Sequence, residues 1–163
     1  MSLSEFVKKT SEMQDKCYGP KSNVSFNAKL IQIELPLVVL RHSKECRGQI
    51  KHGVCRQCHK EVNEIDGDLS FHMAFELQDL EDKKIFHSMI GYGAAAKSIF
   101  GSNATPESVR DMEKKDVYDV LESWMEVAIN VQAVIEFDTK RGMCRVSPYD
   151  ISKLSLNYMP EYK

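Results

Sequence analysis

The chain has 163 residues, 28% of them charged, and a formal net charge of −2 at pH 7. This length suffices for one ordinary hydrophobic core, so a single domain over residues 1–163 is expected. The charge balance gives no general attraction to nucleic acid or to a membrane surface, and no apolar run approaches the length of a bilayer span, so a membrane is not expected as a partner.

The first predicted element is an amphipathic helix over residues 4–15. It belongs to an N-terminal segment, residues 1–20, that ends in the turn Tyr18-Gly19-Pro20. The residues with the spacing of one apolar helix face are Phe6, Val7 and Met13. Such spacing predicts a helix that packs one side against the rest of the protein.

A long β-strand is predicted next, over residues 23–35, because apolar and polar residues alternate there. The phase of the alternation inverts at Leu30-Ile31. Such an inversion indicates one extra residue, a β-bulge, which lets a strand bend from one sheet surface to the next. A small closed barrel needs such a bend. Residues 37–40 continue as a strand into the following segment.

The segment 42–62 contains four candidate metal ligands, His42, Cys46, Cys55 and Cys58. Two ligands separated by two or three residues can reach one metal from a tight turn, and two such turns complete a tetrahedral shell. The segment is therefore predicted to be a zinc ribbon with a structural zinc ion. His52 and His59 are within reach of the same metal, so spacing alone does not decide which histidine is the ligand.

The alternative is that these cysteines are free thiols, a disulfide or a redox pair. The number of cysteines, five, is odd, so they cannot all pair in disulfides, and the first residues do not resemble a secretion signal. Both observations predict a reducing compartment. There, a Cys-x-x-Cys pair is more often metal-binding or catalytic than a structural disulfide. A redox pair would open a helix, whereas residues 59–68 are turn-rich. Cys17 and Cys144 stand alone and are expected to be small buried apolar side chains.

The rest of the chain predicts a hairpin, two helices and two more strands. The predicted ranges are 70–79 and 85–90 for the hairpin, 94–100 and 105–124 for the helices, and 127–137 and 143–146 for the strands. His72 and His87 lie in the hairpin and are expected to be sheet-surface residues, not ligands. Five strands with helices between the third and fourth predict an all-β OB-fold barrel, with the zinc ribbon inserted between strands 1 and 2.

The runs Ser70–Asp79, Lys84–Ile90, Ala94–Gly101, Val131–Phe137 and Cys144–Asp150 carry a family resemblance. In pattern and order they resemble the C-terminal domain of the large subunit of replication protein A and its telomere- and telomerase-associated paralogues. In that domain a zinc ribbon lies between the first two strands. The resemblance implies a nuclear protein that binds single-stranded DNA and assembles with other OB-fold subunits. The large subunit ends in a long helix; here residues 151–163 are a short C-terminal extension.

Candidate DNA-binding residues follow from local charge and from this resemblance. In the predicted ribbon and the residues beside it they are Arg41, Arg47, Lys51 and Arg56, and elsewhere they are Lys29, Lys84 and Tyr92. Lysine and arginine side chains contact phosphates, and aromatic rings stack on bases. Phe86 is a second candidate for stacking, although a barrel of this size favours aromatics in its core.

Two other classes of function are weighed against DNA binding. A protein–protein scaffold with little or no DNA binding is favoured by the net charge and by the acidic predicted helix. A zinc deaminase would need a His-x-Glu before a Pro-Cys-x-x-Cys motif, but here His59-Lys60-Glu61 follows the cysteines. Four protein ligands would also leave no open metal position for water. An enzyme is therefore not expected.

Overall fold

A computed structural model of the chain describes residues 1–42, 46–63 and 67–154. Its elements in chain order are α1 (Leu3–Lys16), β1 (Ser22–Glu34), β2 (Val38–His42), β3 (Ile50–Lys51), β4 (Val54–Cys55), β5 (Gly67–Phe71), β6 (Met73–Gln78), β7 (Phe86–Gly91), α2 (Gly93–Phe100), α3 (Pro106–Arg110), α4 (Lys114–Glu122), β8 (Val127–Asp138) and β9 (Met143–Lys153). No helix within this part of the chain has the length and apolar content needed to cross a membrane.

Five long strands form one antiparallel sheet in the order β7-β6-β1-β8-β9, and the edge strands β7 and β9 contact each other. Between β1 and β6 the chain forms two small two-stranded sheets, β2-β5 and β3-β4. Helices α2 to α4 lie between β7 and β8. This order of strands and helices is that of a five-stranded OB-fold, as the sequence predicts.

The predicted bulge in β1 is confirmed. Leu30 is paired with Leu77 of β6, and Gln32 is paired with the next residue, Glu76, so Ile31 is the extra residue. As a result Leu30 and Ile33, three positions apart, are both buried. The bulge therefore turns the apolar face of the second half of the strand toward the core, which a regular strand could not do.

Helix α1 closes one side of the barrel. The side-chain oxygen of Ser2 accepts the backbone N–H of Glu5 and caps the start of the helix. Phe6 is completely buried and stacks on Phe26 of β1, with 4.1 Å between ring centroids. The helix ends at Cys17, whose left-handed backbone (φ 53°) is a common way to terminate a helix.

The expected burial of the two isolated cysteines is wrong for Cys17, which is exposed. Its position at the helix end directs it away from the core, and its thiol donates to the carbonyl of Gln14 at 3.6 Å. Cys144 is half-buried and contacts Met13 Sδ at 3.4 Å. Burial raises the pKa of the Cys144 thiol.

The single helix predicted over residues 105–124 is instead two, α3 and α4, separated by an extended residue, Glu113. Val109 and Leu121 both reach the core. At 100° per residue, twelve residues of continuous helix would place these two side chains about 120° apart. The break resets the helical phase, and both apolar side chains can then face the barrel.

Strand β9 is also longer than predicted, because it continues past Pro148 to Lys153. A proline has no N–H to donate within a sheet, so it is found in edge strands or at bulges. The register between β8 and β9 shifts at this point, so that Tyr149 is an extra residue in β9 and pairing resumes at Asp150. A bulge thus accommodates the proline. Of the predicted C-terminal extension, residues 155–163 lie outside the described residues.

Asp79, at the end of β6, is the one buried charged side chain in the described part of the chain. Its Oδ1 accepts the backbone N–H of Ser4 at 2.9 Å, and its Oδ2 accepts those of Glu81 and Asp82 at 3.1 and 2.9 Å. Burial raises the pKa of Asp79, but these backbone N–H groups lower it more, so the net shift is downward. One carboxylate therefore holds the start of α1 against the β6–β7 turn.

We expect Asp79→Asn to lower the free energy of unfolding by about 1–3 kcal/mol at pH 7, since an amide places its own N–H groups against a backbone donor. Because the folded-state pKa is lowered, the carboxylate stabilises the fold above its unfolded pKa of about 3.9 and this contribution is lost as pH falls through the folded value. Urea unfolding at pH 7 and pH 3 measures both effects. The control is Asp119→Asn on the exposed surface of α4; equal losses for the two variants at pH 7 would contradict the assigned role.

Candidate metal centre and basic groove

The four predicted ligands come together at the β3-β4 hairpin. His42 is the last residue of β2, Cys46 precedes β3, Cys55 ends β4 and Cys58 follows it. One nitrogen or sulfur atom from each lies within 4.8 Å of the corresponding atoms of the other three. His52 and His59, which spacing left open, do not belong to the cluster. The four residues could therefore hold one metal ion.

Two of the distances between these atoms are close to the edges of a tetrahedral zinc shell. Cys46 Sγ lies 3.6 Å from Cys55 Sγ, and Cys58 Sγ lies 3.4 Å from His42 Nδ1. With zinc bond lengths the edges of a tetrahedron are about 3.8 Å between two sulfurs and about 3.6 Å between sulfur and nitrogen. A disulfide needs a separation of about 2.05 Å, and all five cysteines are free. The geometry therefore favours a metal site over a disulfide.

The backbone turns explain how two knuckles form. Arg47, after Cys46, and His59, after Cys58, both have left-handed backbones, with φ of 57° and 62°. The N–H of His59 donates to the carbonyl of Cys55 at 2.9 Å, which closes the second turn. His52 has φ 53° and lies beside Gly53 in the β3-β4 turn. His59 and His52 thus occupy turn positions, although the sequence alone allowed either to be a ligand.

Backbone N–H groups also set the charge of the thiols. Those of Cys58 and Gln57 lower the pKa of Cys55 to about 6, against the opposing effect of burial. The N–H of Gly48 lowers the pKa of Cys46, but burial and the neighbouring thiols Cys55 and Cys58 together raise it above its ordinary value. A second thiolate is thus disfavoured unless a cation is present. A metal ion would supply that cation and deprotonate its thiol ligands.

Gly48 marks the closest approach of the backbone to the cluster. A Cβ at this position would lie 2.5 Å from Cys55 Sγ and 2.8 Å from the Cβ of Gln57. Cys55 cannot move freely, because it is completely buried and belongs to β4. A side chain at residue 48 therefore conflicts directly with one ligand.

Next to this cluster lies an open groove between the hairpin and the barrel, with a volume of about 1530 Å³. Its lining includes six basic residues: Arg41, Arg47, Arg56, Lys97, Arg141 and Arg145. Among the described residues that line it, Asp15 is the only acidic one. The chain as a whole is slightly acidic, so positive charge is concentrated in this groove. Such a concentration attracts polyanions.

Three of the predicted basic residues and Tyr92 line the groove, and three basic residues do not. Lys29 pairs with Glu126 at 2.6 Å. Lys84 is exposed in the β6–β7 turn, and Lys51 lies in a separate shallow depression with His52.

Sequence reasoning missed the basic residues of the other wall, Lys97 on α2 and Arg141 and Arg145 at the β8–β9 hairpin. They are far from the ribbon in sequence. The contact between β7 and β9 brings that hairpin to the groove. The sequence offered one signal that these residues lie near the ribbon, namely the predicted strand order of an OB-fold barrel.

Each of the three groove arginines on the ribbon side is directly next to a metal-ligand candidate in the sequence. Arg41 precedes His42, Arg47 follows Cys46 and Arg56 follows Cys55. Arg41 Nη1 also donates to the carbonyl of Arg47 at 3.0 Å, and Arg47 Nη2 donates to Ser70 Oγ at 2.9 Å. The positions of these arginines therefore depend on the same turns that bring the ligands together.

The two candidate stacking aromatics are exposed, so the expectation that they lie in the core is wrong. Tyr92 is 47% exposed and lines the groove, whereas Phe86 is 59% exposed and lies outside it. The buried aromatic side chains come mostly from other positions, such as Phe26 and Phe75 on the inner face of the sheet. Tyr92 follows β7 and precedes α2, which places it at the rim of the barrel.

His72 and His87 lie outside the metal cluster. His72 Nδ1 accepts a hydrogen bond from Arg41 Nη2 at 3.1 Å, and the His72 ring meets that of Tyr92 edge-on, with 6.0 Å between centroids. Burial, and then the charge of Arg41, lower the pKa of His72, so its ring is neutral at pH 7. His87 is half-buried and its ring edge meets Phe6 at 5.7 Å.

No protein-family model matches the chain, and no curated protein matches it. Among solved structures, a chain of a replication protein A heterotrimer bound to single-stranded DNA superimposes with a TM-score of 0.52 at 13% identity, over 90% of this chain. The chain spans 36% of that structure's length. A yeast replication protein A chain bound to single-stranded DNA gives a TM-score of 0.47 at 15% identity, over 86% of this chain and 79% of that one. The first of these likenesses supports the OB-fold.

We expect Gly48→Ala to lower the amount of metal that copurifies with the protein, because the new methyl group would displace Cys55 Sγ. Wild-type protein should carry one metal ion per chain by elemental analysis without added metal. Gly93→Ala is the matched control, since nothing lies within 4 Å of a Cβ there. Metal-free folded wild-type protein, or equal metal content in both variants, would contradict the site.

Proposed function

We propose that the protein is a non-catalytic module that binds single-stranded DNA in the basic groove. The observation that carries the proposal is the charge of the groove, whose described lining has six lysine and arginine residues and one acidic residue. Phosphate contacts provide most of the sequence-independent affinity for nucleic acid. Arg56 and Arg145, on opposite walls, form no ion pair within the described part of the chain, so both are available for phosphates.

The aromatic at the rim favours a single strand over a duplex. Tyr92 lies in the groove with about half of its surface exposed. An exposed ring stacks readily on an unpaired base, and such stacking tolerates any base. In a duplex the base faces are already occupied by their neighbours. The combination of cations along a groove and one exposed ring is typical of proteins that bind single strands.

We assign the metal centre as a structural zinc site with ligands His42, Cys46, Cys55 and Cys58. Three sulfurs and one imidazole nitrogen are a ligand set that suits zinc. Because four protein ligands complete the shell, no position is open for water or substrate, and this supports a structural role over a catalytic one. When bound, the ion would supply the positive charge that lets the thiols ionise together. It would hold the two knuckles that carry Arg41, Arg47 and Arg56.

We further propose that the module works in the nucleus, in a replication protein A-like or telomere-maintenance complex with other OB-fold subunits. The OB-fold and the order of its elements support this assignment. The alternative is a scaffold subunit that binds proteins and little or no DNA. The observation that favours it is a set of exposed acidic side chains on α4 and in the segment between α3 and α4, which outnumber the basic residues Arg110, Lys114 and Lys115 there: Asp111, Glu113, Asp116, Asp119 and Glu122.

The groove is tested by reversing one charge on each wall. We expect Arg56→Glu combined with Arg145→Glu to weaken oligonucleotide binding and to flatten the dependence of log K on log salt by about 0.7 for each phosphate that is no longer neutralised. Fluorescence anisotropy with a labelled single-stranded oligonucleotide over a range of salt concentrations measures both.

Lys84→Glu is the matched control for this test, because Lys84 is exposed and lies outside the groove. Combined with Lys83→Glu, also exposed and outside the groove, it changes the net charge as much as the double reversal does, and it should leave the salt slope unchanged. If the double reversal and the control give the same slope as wild type, DNA does not bind in this groove. Strong binding of protein subunits without DNA binding would favour the scaffold.

The stacking role is tested by truncating the exposed aromatics one at a time. We expect Tyr92→Ala to weaken binding by about 1–3 kcal/mol, the usual loss for one stacked base. Phe86→Ala is the control, since Phe86 is more exposed than Tyr92 but lies outside the groove. Equal affinities for the two variants would remove Tyr92 from the binding site.

A further inference from the structure

We propose that Arg41, His72 and Tyr92 form one nucleotide-binding unit, in which His72 is a positioning residue that orients an arginine for phosphate and a tyrosine for the base. The inference rests on the proposed function and deepens it. His72 lies at the short gap between β5, which pairs with β2, the strand that leads into the metal cluster, and β6, which belongs to the barrel sheet. It therefore links the two parts that form the groove.

The contact between Arg41 and His72 has only one possible direction. A guanidinium group has five N–H donors and no acceptor, so His72 Nδ1 must be the acceptor at 3.1 Å. The ring proton of neutral His72 is then on Nε2. Arg41 uses another N–H for the carbonyl of Arg47. Two of its five donors are engaged in holding its orientation, and three remain for a phosphate.

The contact between His72 and Tyr92 fixes the aromatic ring in the same unit. The two rings meet edge-on, at an angle of 72° and with 6.0 Å between centroids. In such an arrangement His72 can cover at most one face of the tyrosine ring, so this contact leaves at least one face for stacking. The backbone N–H of His72 donates to the carbonyl of Leu37 at 2.9 Å, so the histidine itself is held by the sheet. A charge and a ring thus contact one histidine, whose backbone is held in place by this bond.

The geometry predicts that Arg41 and Tyr92 act on a bound strand as a coupled pair. A ligand with both a phosphate and a base engages both side chains, and each engagement depends on the orientation that His72 maintains. A polyanion without bases, such as heparin, contacts Arg41 alone. The class of ligand for this unit is therefore a nucleotide within a single strand, rather than any anionic polymer.

The test is a double-mutant cycle on oligonucleotide affinity with Arg41→Ala, Tyr92→Ala and the double variant. We expect the double variant to lose clearly less affinity than the product of the two single losses, with each single variant weakened about tenfold. Affinity for heparin should fall for Arg41→Ala and stay unchanged for Tyr92→Ala. Independent, multiplicative losses for the oligonucleotide would overturn the coupled unit. Metal content and urea unfolding confirm that each variant is folded.

Two substitutions of His72 separate its two contacts. His72→Asn keeps an acceptor near the position of Nδ1 but removes the ring, and His72→Phe keeps a ring but removes the acceptor. We expect His72→Phe to flatten the salt slope by about 0.7, the value for one phosphate contact. His72→Asn should keep the slope and lower affinity. If wild type binds with a normal salt dependence and both variants match it, this inference fails while the proposed function stands. If wild type does not bind at all, the proposed function fails.

Discussion

The convergence of His42, Cys46, Cys55 and Cys58 is the constraint on which the rest of the account depends. The hairpin that carries these residues has a very small apolar core, formed by Ile50, Cys55 and Val62 with a few partly buried neighbours. Such a core is too small to hold a fold alone, and small metal-binding units obtain much of their folding free energy from the bound ion. Because Arg41, Arg47 and Arg56 each adjoin one of these ligands, the positive wall of the groove is ordered by the same convergence.

The barrel supplies the opposite wall. In this OB-fold β1 is the central strand, and the third and fifth barrel strands, β7 and β9, contact each other. This closure brings the β8–β9 hairpin, with Arg141 and Arg145, and α2, with Lys97, to the groove. Neither wall alone concentrates much charge. Together they surround a groove with one acidic residue in its described lining, in a chain whose net charge is −2. The spatial distribution of charge, and not the total, is therefore what supports binding of a polyanion.

Much of the fold is local in origin and could be predicted. The inversion of alternation at Leu30-Ile31 predicted the bulge in β1, and the spacing of the four ligands predicted their cluster, because each pattern is set by neighbouring residues. The missed features depend on distant contacts. The helix breaks at Glu113 because Val109 and Leu121 must both reach the core. The length of β9 depends on its pairing with β8, and the basic residues of the second wall reach the groove because the barrel closes. The exposure of Tyr92 and Phe86 was also missed, since Phe26, Phe75 and other residues already fill the core.

The most direct test of the central claim is the affinity of wild-type, metal-loaded protein for a single-stranded oligonucleotide across a range of salt concentrations. The account predicts that log K falls linearly with log salt, with a slope steeper than about −2, which corresponds to at least three phosphates at about 0.7 each. It also predicts weaker binding of the same sequence as a duplex, since Tyr92 would have no free base to stack on. No measurable binding at low salt, or an affinity that does not change with salt, would contradict the assignment of the groove as a DNA-binding site.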